Sequence, residues 1–341
     1  MVSDNIILEV KSIDELTSNE EVAIRELLDI SRFSAPFHTV EWNRIIRNVF
    51  GERVSIALCF NEFDLVGYFP YHDRRECYCL KRVYSFGSLY ENVYGGLIVR
   101  DDNPELVRIF LNKLLHKLKL VSYYGIELPP GYPNGLFERF NFHIRYTYDT
   151  PVLDLNRSLD EIWKSWDYKK VGWGINKAQK RGVSLTMNKS KDLPVFHRYL
   201  RQTYERFGKE ALPIQYYEKL FHNGLIQIFS ACYNDQPIAV ILVSEFHNTI
   251  YYWAGSSSCE HRSLCPNDYL IWEIIKWGKK RGCKYFDLLR MSPGERNPNG
   301  IRQFKIKFQG EIKPLYYAYK KTHYHYIGKM ANYGLSLLGK S

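Results

Sequence analysis

Residues 225–246, LIQIFSACYNDQPIAVILVSEF, decide how this chain is read. Two apolar runs, 225–233 and 237–246, flank Asn234, Asp235 and Gln236, which is the composition of a tight antiparallel turn. A third strand-like run, TIYYWAGSS (249–257), follows. Next comes NDYLIWEIIKWGKKRG (267–282), whose apolar residues recur at three- and four-residue spacing, the period of a half-buried helix. KYFDLLRM (284–291) closes the set as a short strand carrying an acid, Asp287.

The first half of the chain repeats the order. RVSIALCF (53–60) and FDLVGYFPYH (63–72) are strand-like runs on either side of the turn Asn61-Glu62. RVYSFGSLY (82–90) is the third run, PELVRIFLNKLLHKL (104–118) the helix, and YYGIELP (123–129) the closing strand. Both halves therefore read strand–strand–strand–helix–strand, an approximate internal duplication. A boundary is expected near residue 150, ahead of PVLDLNRSLDEIWKSW (151–166). There Ser158 and Glu161 have capping-box spacing and open the second half with a helix.

Composition narrows the class. The chain has 341 residues, enough for two ordinary domains, and 45% of them are hydrophobic, the level of a packed globular protein. No run of some twenty apolar residues occurs, and the acidic start MVSDNIILEVKSIDEL is unlike a signal peptide. A cytoplasmic protein is expected, with the inner face of the membrane as its limit. The seven cysteines form no paired ligand set and read as reduced, small apolar residues. His323 and His325 lack further ligands, so no metal is expected. A formal net charge of +10 favours anionic partners: RNA, nucleotide phosphates or an acidic membrane surface. The 27 tyrosines suit substrate clefts and strand cores equally.

An antiparallel meander followed by a helix and a strand is the order of the acyltransferase (GNAT) core. The expected fold class is α/β of the α+β kind: two tandem GNAT-like lobes, each a mixed, largely antiparallel central sheet flanked by helices. Several phrases resemble the FemABX-like and BioF2-like branch of that superfamily, in order. These are FHTVEWNRIIRNVFG (37–51), VGYFPY (66–71), YENVYGGL (90–97), YKKVGWGINKAQKRGV (168–183), QTYERFG (202–208), YYWAGSSS (251–258), YFDL (285–288) and GIRQFKIKFQG (300–310). The resemblance implies lobe 1–150 on the acceptor side, degenerate in function, and lobe 151–341 on the donor and catalytic side. Two features depart from the family's pattern. No long helical hairpin interrupts the second lobe. SSSCEHRSLCPND (256–268) replaces the glycine-rich phosphate loop of acetyl-CoA enzymes, and Pro266 removes one backbone donor there.

The resemblance implies direct amide formation, an amine attacking an activated ester or thioester with no enzyme-bound intermediate. Such a step needs alignment, oxyanion stabilisation and a deprotonated amine. Lys305 matches the lysine of the closing signature and is expected to assist donor binding and transfer, with Phe304 beside it. Asp287, at a strand end, is the candidate that draws a proton from the amine or holds the ammonium in place. Arg206 is the candidate phosphate grip, with Tyr217, on the next helix, packing over the same substrate. Tyr252, Trp253 and Ser256 lie on the strand bordering the acyl channel; alternation allows only one of the two rings to line it. Lys170, Lys177 and Arg181 share a helical face suited to RNA or diphosphate. Trp42, Glu91 and Tyr94 are carried over from the resemblance as acceptor contacts.

The expected function is that of a transferase, an N-acyltransferase or aminoacyltransferase of cell-envelope biogenesis. It would pass an aminoacyl group from aminoacyl-tRNA to an amine of a cell-wall or surface-glycan precursor. An acyl-CoA-dependent N-acetyltransferase of an amino sugar or small amine is the alternative, and a non-catalytic GNAT-like binding protein the second. No cofactor is expected to be resident; the co-substrate is aminoacyl-tRNA or acyl-CoA. The acceptor is a small molecule or is linked to a lipid or nucleotide. A monomer is expected. The tail HYHYIGKMANYGLSLLGKS (323–341) is read either as packing on the second lobe or as a peripheral membrane contact.

Overall fold

The computed structural model describes residues 5–77, 79–85, 94–206, 208–291 and 300–327. The fold divides into Met1–Thr147 with Pro314–Ser341, and Tyr148–Lys313. The first unit begins with β1 (Ile6–Ser12), α1 (Ser18–Ile30) and α2 (Val40–Phe50). Thr17 caps α1 in a reciprocal box with Glu20, and Gly51, at φ 65°, ends α2 in the left-handed region. The meander β2 (Val54–Asn61), β3 (Asp64–Cys77) and β4 (Leu80–Ser85) follows, with β5 (Ile98–Val99) pairing on β3. Then α3 (Pro104–Lys117) crosses over to β6 (Val121–Leu128), which lies parallel to β4, and α4 (Gly135–Glu138) follows.

From β7 (His143–Asp154) the chain runs into the second unit. Ser158 and Glu161 form the expected capping box on α5 (Leu159–Ser165). A π-helical turn, Tyr168–Gly172, leads into α6 (Trp173–Lys180). After β8 (Ser184–Met187) come α7 (Leu193–Glu205), α8 (Ile214–His222) and the second meander: β9 (Gln227–Tyr233), β10 (Gln236–Phe246) and β11 (Thr249–Ser257). Asn234 and Asp235 both take positive φ, 48° and 60°, as a two-residue hairpin turn requires. Next, α9 (Pro266–Lys280) crosses over to β12 (Tyr285–Asp287), parallel to β11. Last come α10 (Gly300–Ile306) and β13 (Glu311–Lys321).

The duplication is thus topological. In the first unit β1, β2, β3, β4, β6 are neighbours in that order; in the second β8, β9, β10, β11, β12 are. Each meander is antiparallel, and each crossover strand is parallel to the meander's third strand. The sixth strands enter from elsewhere in the chain. β7 pairs with β12, Val152 opposite Asp287, and β13 pairs with β6, Tyr316 opposite Leu128. The sequence reading assigns all of 151–341 to the second lobe. The structure corrects this: from Pro314 the chain rejoins the first unit. The physical reason is that β6 would otherwise be a bare edge with unpaired backbone groups.

In the second unit every residue from Ile238 to Val243 is buried, with α9 packed on β9 and β10 and α7 on β10 and β11. Such a continuous apolar strand is covered on both faces. Its core joins Ile175 of α6, Ile241 of β10, Ile271 and Ile274 of α9 and Phe308. Among the described residues no helix is long and apolar enough to cross a membrane.

Candidate active site

β11 and β12 stay paired for three residues only, Thr249 with Tyr285, Ile250 with Phe286 and Tyr251 with Asp287. β12 ends there, while β11 continues to Ser257. From Tyr252 onward, β11 therefore parts from β12. The opposite edge of β11 is irregular at the same level, because its pairing with β10 skips Trp253. A bulge next to a strand parting re-aims side chains and is a common setting for a site.

The bulge decides which ring faces which way. Trp253 is buried between Tyr216 and Tyr217 of α8, with ring centroids 5.6 and 5.4 Å away. Tyr252 turns towards α10, and its ring lies 5.4 Å from Nζ of Lys305. Gly255 makes room for it, since a Cβ there would stand 1.9 Å from the Tyr252 hydroxyl.

Lys305 is the centre of this arrangement. It is 7% exposed, the one lysine classed as buried among the described residues. Its Nζ donates to the carbonyls of Arg290 at 2.9 Å and Leu289 at 3.3 Å. Burial pushes the ammonium down to about 7, against the pull of Asp287 and with a further push from Arg290. An isolated buried cation is costly, and two carbonyls, an aromatic face and a carboxylate offset part of that cost here.

Asp287 builds the turn that supplies those carbonyls. Its Oδ1 accepts from the backbone N–H of Leu289 at 2.8 Å and from the hydroxyl of Thr150. Leu289 takes φ 55°, a strained conformation for a leucine. The chain Thr150, Asp287, Leu289, Lys305 thus links β7, β12 and α10 around one ammonium. Beside it, Arg302 pairs with Asp149 at 2.9 Å, and the Arg290 guanidinium lies 5.2 Å from the Tyr148 ring. Thr150, Asp149 and the Leu289 turn were outside the sequence reading; the acid Asp287 was the one signal for the turn.

The other candidates fall elsewhere. Ser256 donates to the carbonyl of Phe196 at 2.8 Å and so ties β11 to α7. Tyr217 is wholly buried against Phe196, 5.1 Å between centroids. Phe304 packs on the core through Phe308. Arg206 is exposed at the end of α7, its guanidinium 3.3 Å from the Thr203 hydroxyl. Lys170 pairs with Asp167 in solvent, Lys177 sits 4.6 Å from the Trp173 ring, and Arg181 is exposed at the end of α6. Trp42 and Tyr94 are buried in the first unit around Phe37, centroids 5.1 and 6.2 Å away. Glu91, and the tail beyond Ile327, lie outside the described residues.

The start of α9 departs from a phosphate cradle in structure as in sequence. Cys265 takes a left-handed conformation ahead of Pro266. Asp268, in the first turn, is buried and paired with Lys307 at 2.5 Å. Burial pushes its carboxyl up, and Lys307 opposes that. A Cβ on Gly174 would stand 2.8 Å from Asp268 Oδ2, so the backbone of α6 lies against this turn.

Residues 169–305 match the family model of the acetyltransferase (GNAT) domain, and Lys305 is the last residue matched. No curated protein matches the sequence. Solved structures share its fold. The structure of FemX aligns over 91% of this chain and 96% of its own, at 13% identity and a TM-score of 0.72. The C-terminal domain of a putative lysylphosphatidylglycerol synthetase from Agrobacterium fabrum aligns over 92% and 96%, at 12% identity and 0.57. A tandem GNAT protein from the clavulanic acid biosynthesis pathway aligns over 93% and 98%, at 11% identity and 0.56. The mixed α/β fold is GNAT-like. Together with the matched domain it supports an acyltransferase of the GNAT superfamily.

Proposed function

We propose that the chain is an N-acyltransferase that passes an aminoacyl group from aminoacyl-tRNA to an amine of a cell-wall or surface-glycan precursor, as FemABX-like proteins do. The observation that carries the transfer is Lys305, buried at the parting of β11 and β12 beside Tyr252. The amine nitrogen bonds to the ester carbonyl carbon and loses a proton, the carbon–oxygen bond of the ester breaks, and the departing alkoxide oxygen takes up that proton. Lys305, charged, holds the oxygen on which negative charge develops. Asp287 is in this reading a positioning residue: it holds the Leu289 turn and thereby the ammonium.

The start of α9 supports the ester donor. A pyrophosphate approaching there would meet the Asp268 carboxylate, the Pro266 ring and the backbone of α6. The matched acetyltransferase domain favours a second reading, acyl-CoA-dependent acetylation of an amino sugar or small amine.

Titration of the full chain with mixed aminoacyl-tRNA, and separately with acetyl-CoA, followed by tryptophan fluorescence at physiological salt, tests the donor. Saturable binding of the tRNA without response to acetyl-CoA is expected. Micromolar acetyl-CoA binding without tRNA binding overturns the donor and leaves the second reading. Turnover lost in Lys305→Met with ligand affinity retained separates an enzyme from a binding protein.

A further inference from the structure

The π-helical turn and α6 use their apolar side completely. Val171, Ile175 and Ala178 are buried in the second unit's core. What remains outside is unusual for so short a segment: two large rings, Tyr168 at 55% and Trp173 at 50% exposure. Lys169, Lys170, Lys177, Lys180 and Arg181 lie on the same short segment, and Asp167 is the one acid between residues 167 and 181. The Lys170–Asp167 pair is solvent-exposed and worth little, so the surface is strongly cationic.

Both rings are held before anything binds. Tyr168 lies along the helix backbone, because a Cβ at Gly172 would stand 2.6 Å from its ring. Its hydroxyl accepts from Asn176 Nδ2 at 3.3 Å. Trp173 has Lys177 over its ring, one turn later. The surface also borders the start of α9: Gly174 packs against Asp268 and Cys265. Burial and Asp268 push the Cys265 thiol up, and Lys177 and Lys307 pull it down.

We propose that this face docks the single-stranded 3′ end of an RNA, with bases stacked on Trp173 and Tyr168 and phosphates against Lys169, Lys170 and Lys177. Flat rings that accept any base, interleaved with cations that track a backbone, are how proteins hold single strands. An anionic membrane fits less well, since a helix that inserts into lipid needs an apolar face and this one is already buried. The proposal rests on aminoacyl-tRNA as the donor and adds which residues meet its acceptor end.

Binding of a fluorescent RNA hairpin with a four-nucleotide 3′ overhang, by anisotropy, tests it against the same hairpin with a blunt end. The full-length chain should prefer the overhang. Trp173→Ala, an exposed change, should weaken overhang binding about tenfold and leave blunt binding unchanged. Lys169→Glu with Lys170→Glu should weaken both and flatten the salt dependence by about two phosphates' worth. Overhang binding untouched by Trp173→Ala overturns this surface while the tRNA donor stands. Absence of RNA binding by the wild type overturns the donor and the surface together. Binding to phosphatidylglycerol vesicles, lost in Trp173→Ala and without any overhang preference, assigns the face to membrane instead.

Discussion

The two units share one topology and differ in what they enclose. In each, a crossover helix leads to a strand carrying a buried acid, Glu127 on β6 and Asp287 on β12. In the first unit the acid faces a phenol across the strand pair. Tyr317 stands opposite Glu127 in the register, its hydroxyl accepting from the Tyr123 hydroxyl at 3.1 Å, and burial, Tyr123 and Glu127 all push its phenol up. Two of the buried histidines there, His38 and His72, are pushed by burial down to about 4 and are neutral at pH 7. In the second unit the acid supports a turn that holds a lysine titrating near neutrality. The same scaffold is therefore spent on packing in one case and on a poised charge in the other. The difference lies in Lys305 and the Leu289 turn, not in the sheet.

The largest expected effect that bears on this contrast is loss of Lys305. Lys305→Met should lower single-turnover rate by about 10²–10³, the size of losing a preorganised charge. A loss under tenfold would place the chemistry elsewhere. The pH dependence sharpens the same point. Free enzyme must carry the charged form, so kcat/KM should fall as pH rises through about 7, and Lys305→Arg should move that limb out of range. Stability has the opposite sign. A lysine whose folded value is depressed binds fewer protons folded than unfolded between about 7 and its ordinary range, so its burial penalty is full below 7 and relieved as pH rises. Thermal unfolding should show Lys305→Met stabilised at pH 6 relative to wild type, with the gain shrinking towards pH 10.

Thr150→Val comes next. It leaves the buried Asp287 short of one donor, at a cost of about 1–3 kcal/mol by denaturant unfolding. Its rate should drop without a shift in acceptor KM, as a positioning residue requires. Smallest is Glu127→Gln in the first unit, which should change turnover by less than about threefold, under 1 kcal/mol of barrier. Should Glu127→Gln cost as much turnover as Thr150→Val, the contrast between the units fails.

Much of this was legible in the chain. The hairpin at Asn234 and Asp235, the capping box at Ser158 and the repeated strand and helix order are local signals. The first two formed as written and the order holds, with the third run of the first half described as far as Ser85 and residues 86–90 of it outside the described residues. Lys305 was legible through the closing phrase that resembles a family signature. Its partners were not. Thr150 lies 137 residues from Asp287 and carries no motif, and the carbonyls of Leu289 and Arg290 belong to the backbone. Alternation offered either Tyr252 or Trp253 to the cleft, and a bulge, which no period reveals, chose between them. Residues read as contacts, such as Trp42, Tyr217 and Ser256, proved to be packed or bonded inside, because tyrosine, tryptophan and serine suit clefts and cores alike.

By itself the sequence determined the elements, their order and their duplication, because turn chemistry, caps and apolar period act between residues close along the chain. Only the tertiary structure decided where β7 and β13 complete their sheets, which ring faces Lys305, and that its ammonium is buried and poised near neutrality. Edge pairing joins strands more than a hundred residues apart, the coupling of Lys305 brings together Asp287, Arg290 and Tyr252 from separate elements, and a one-dimensional pattern does not say which neighbours meet.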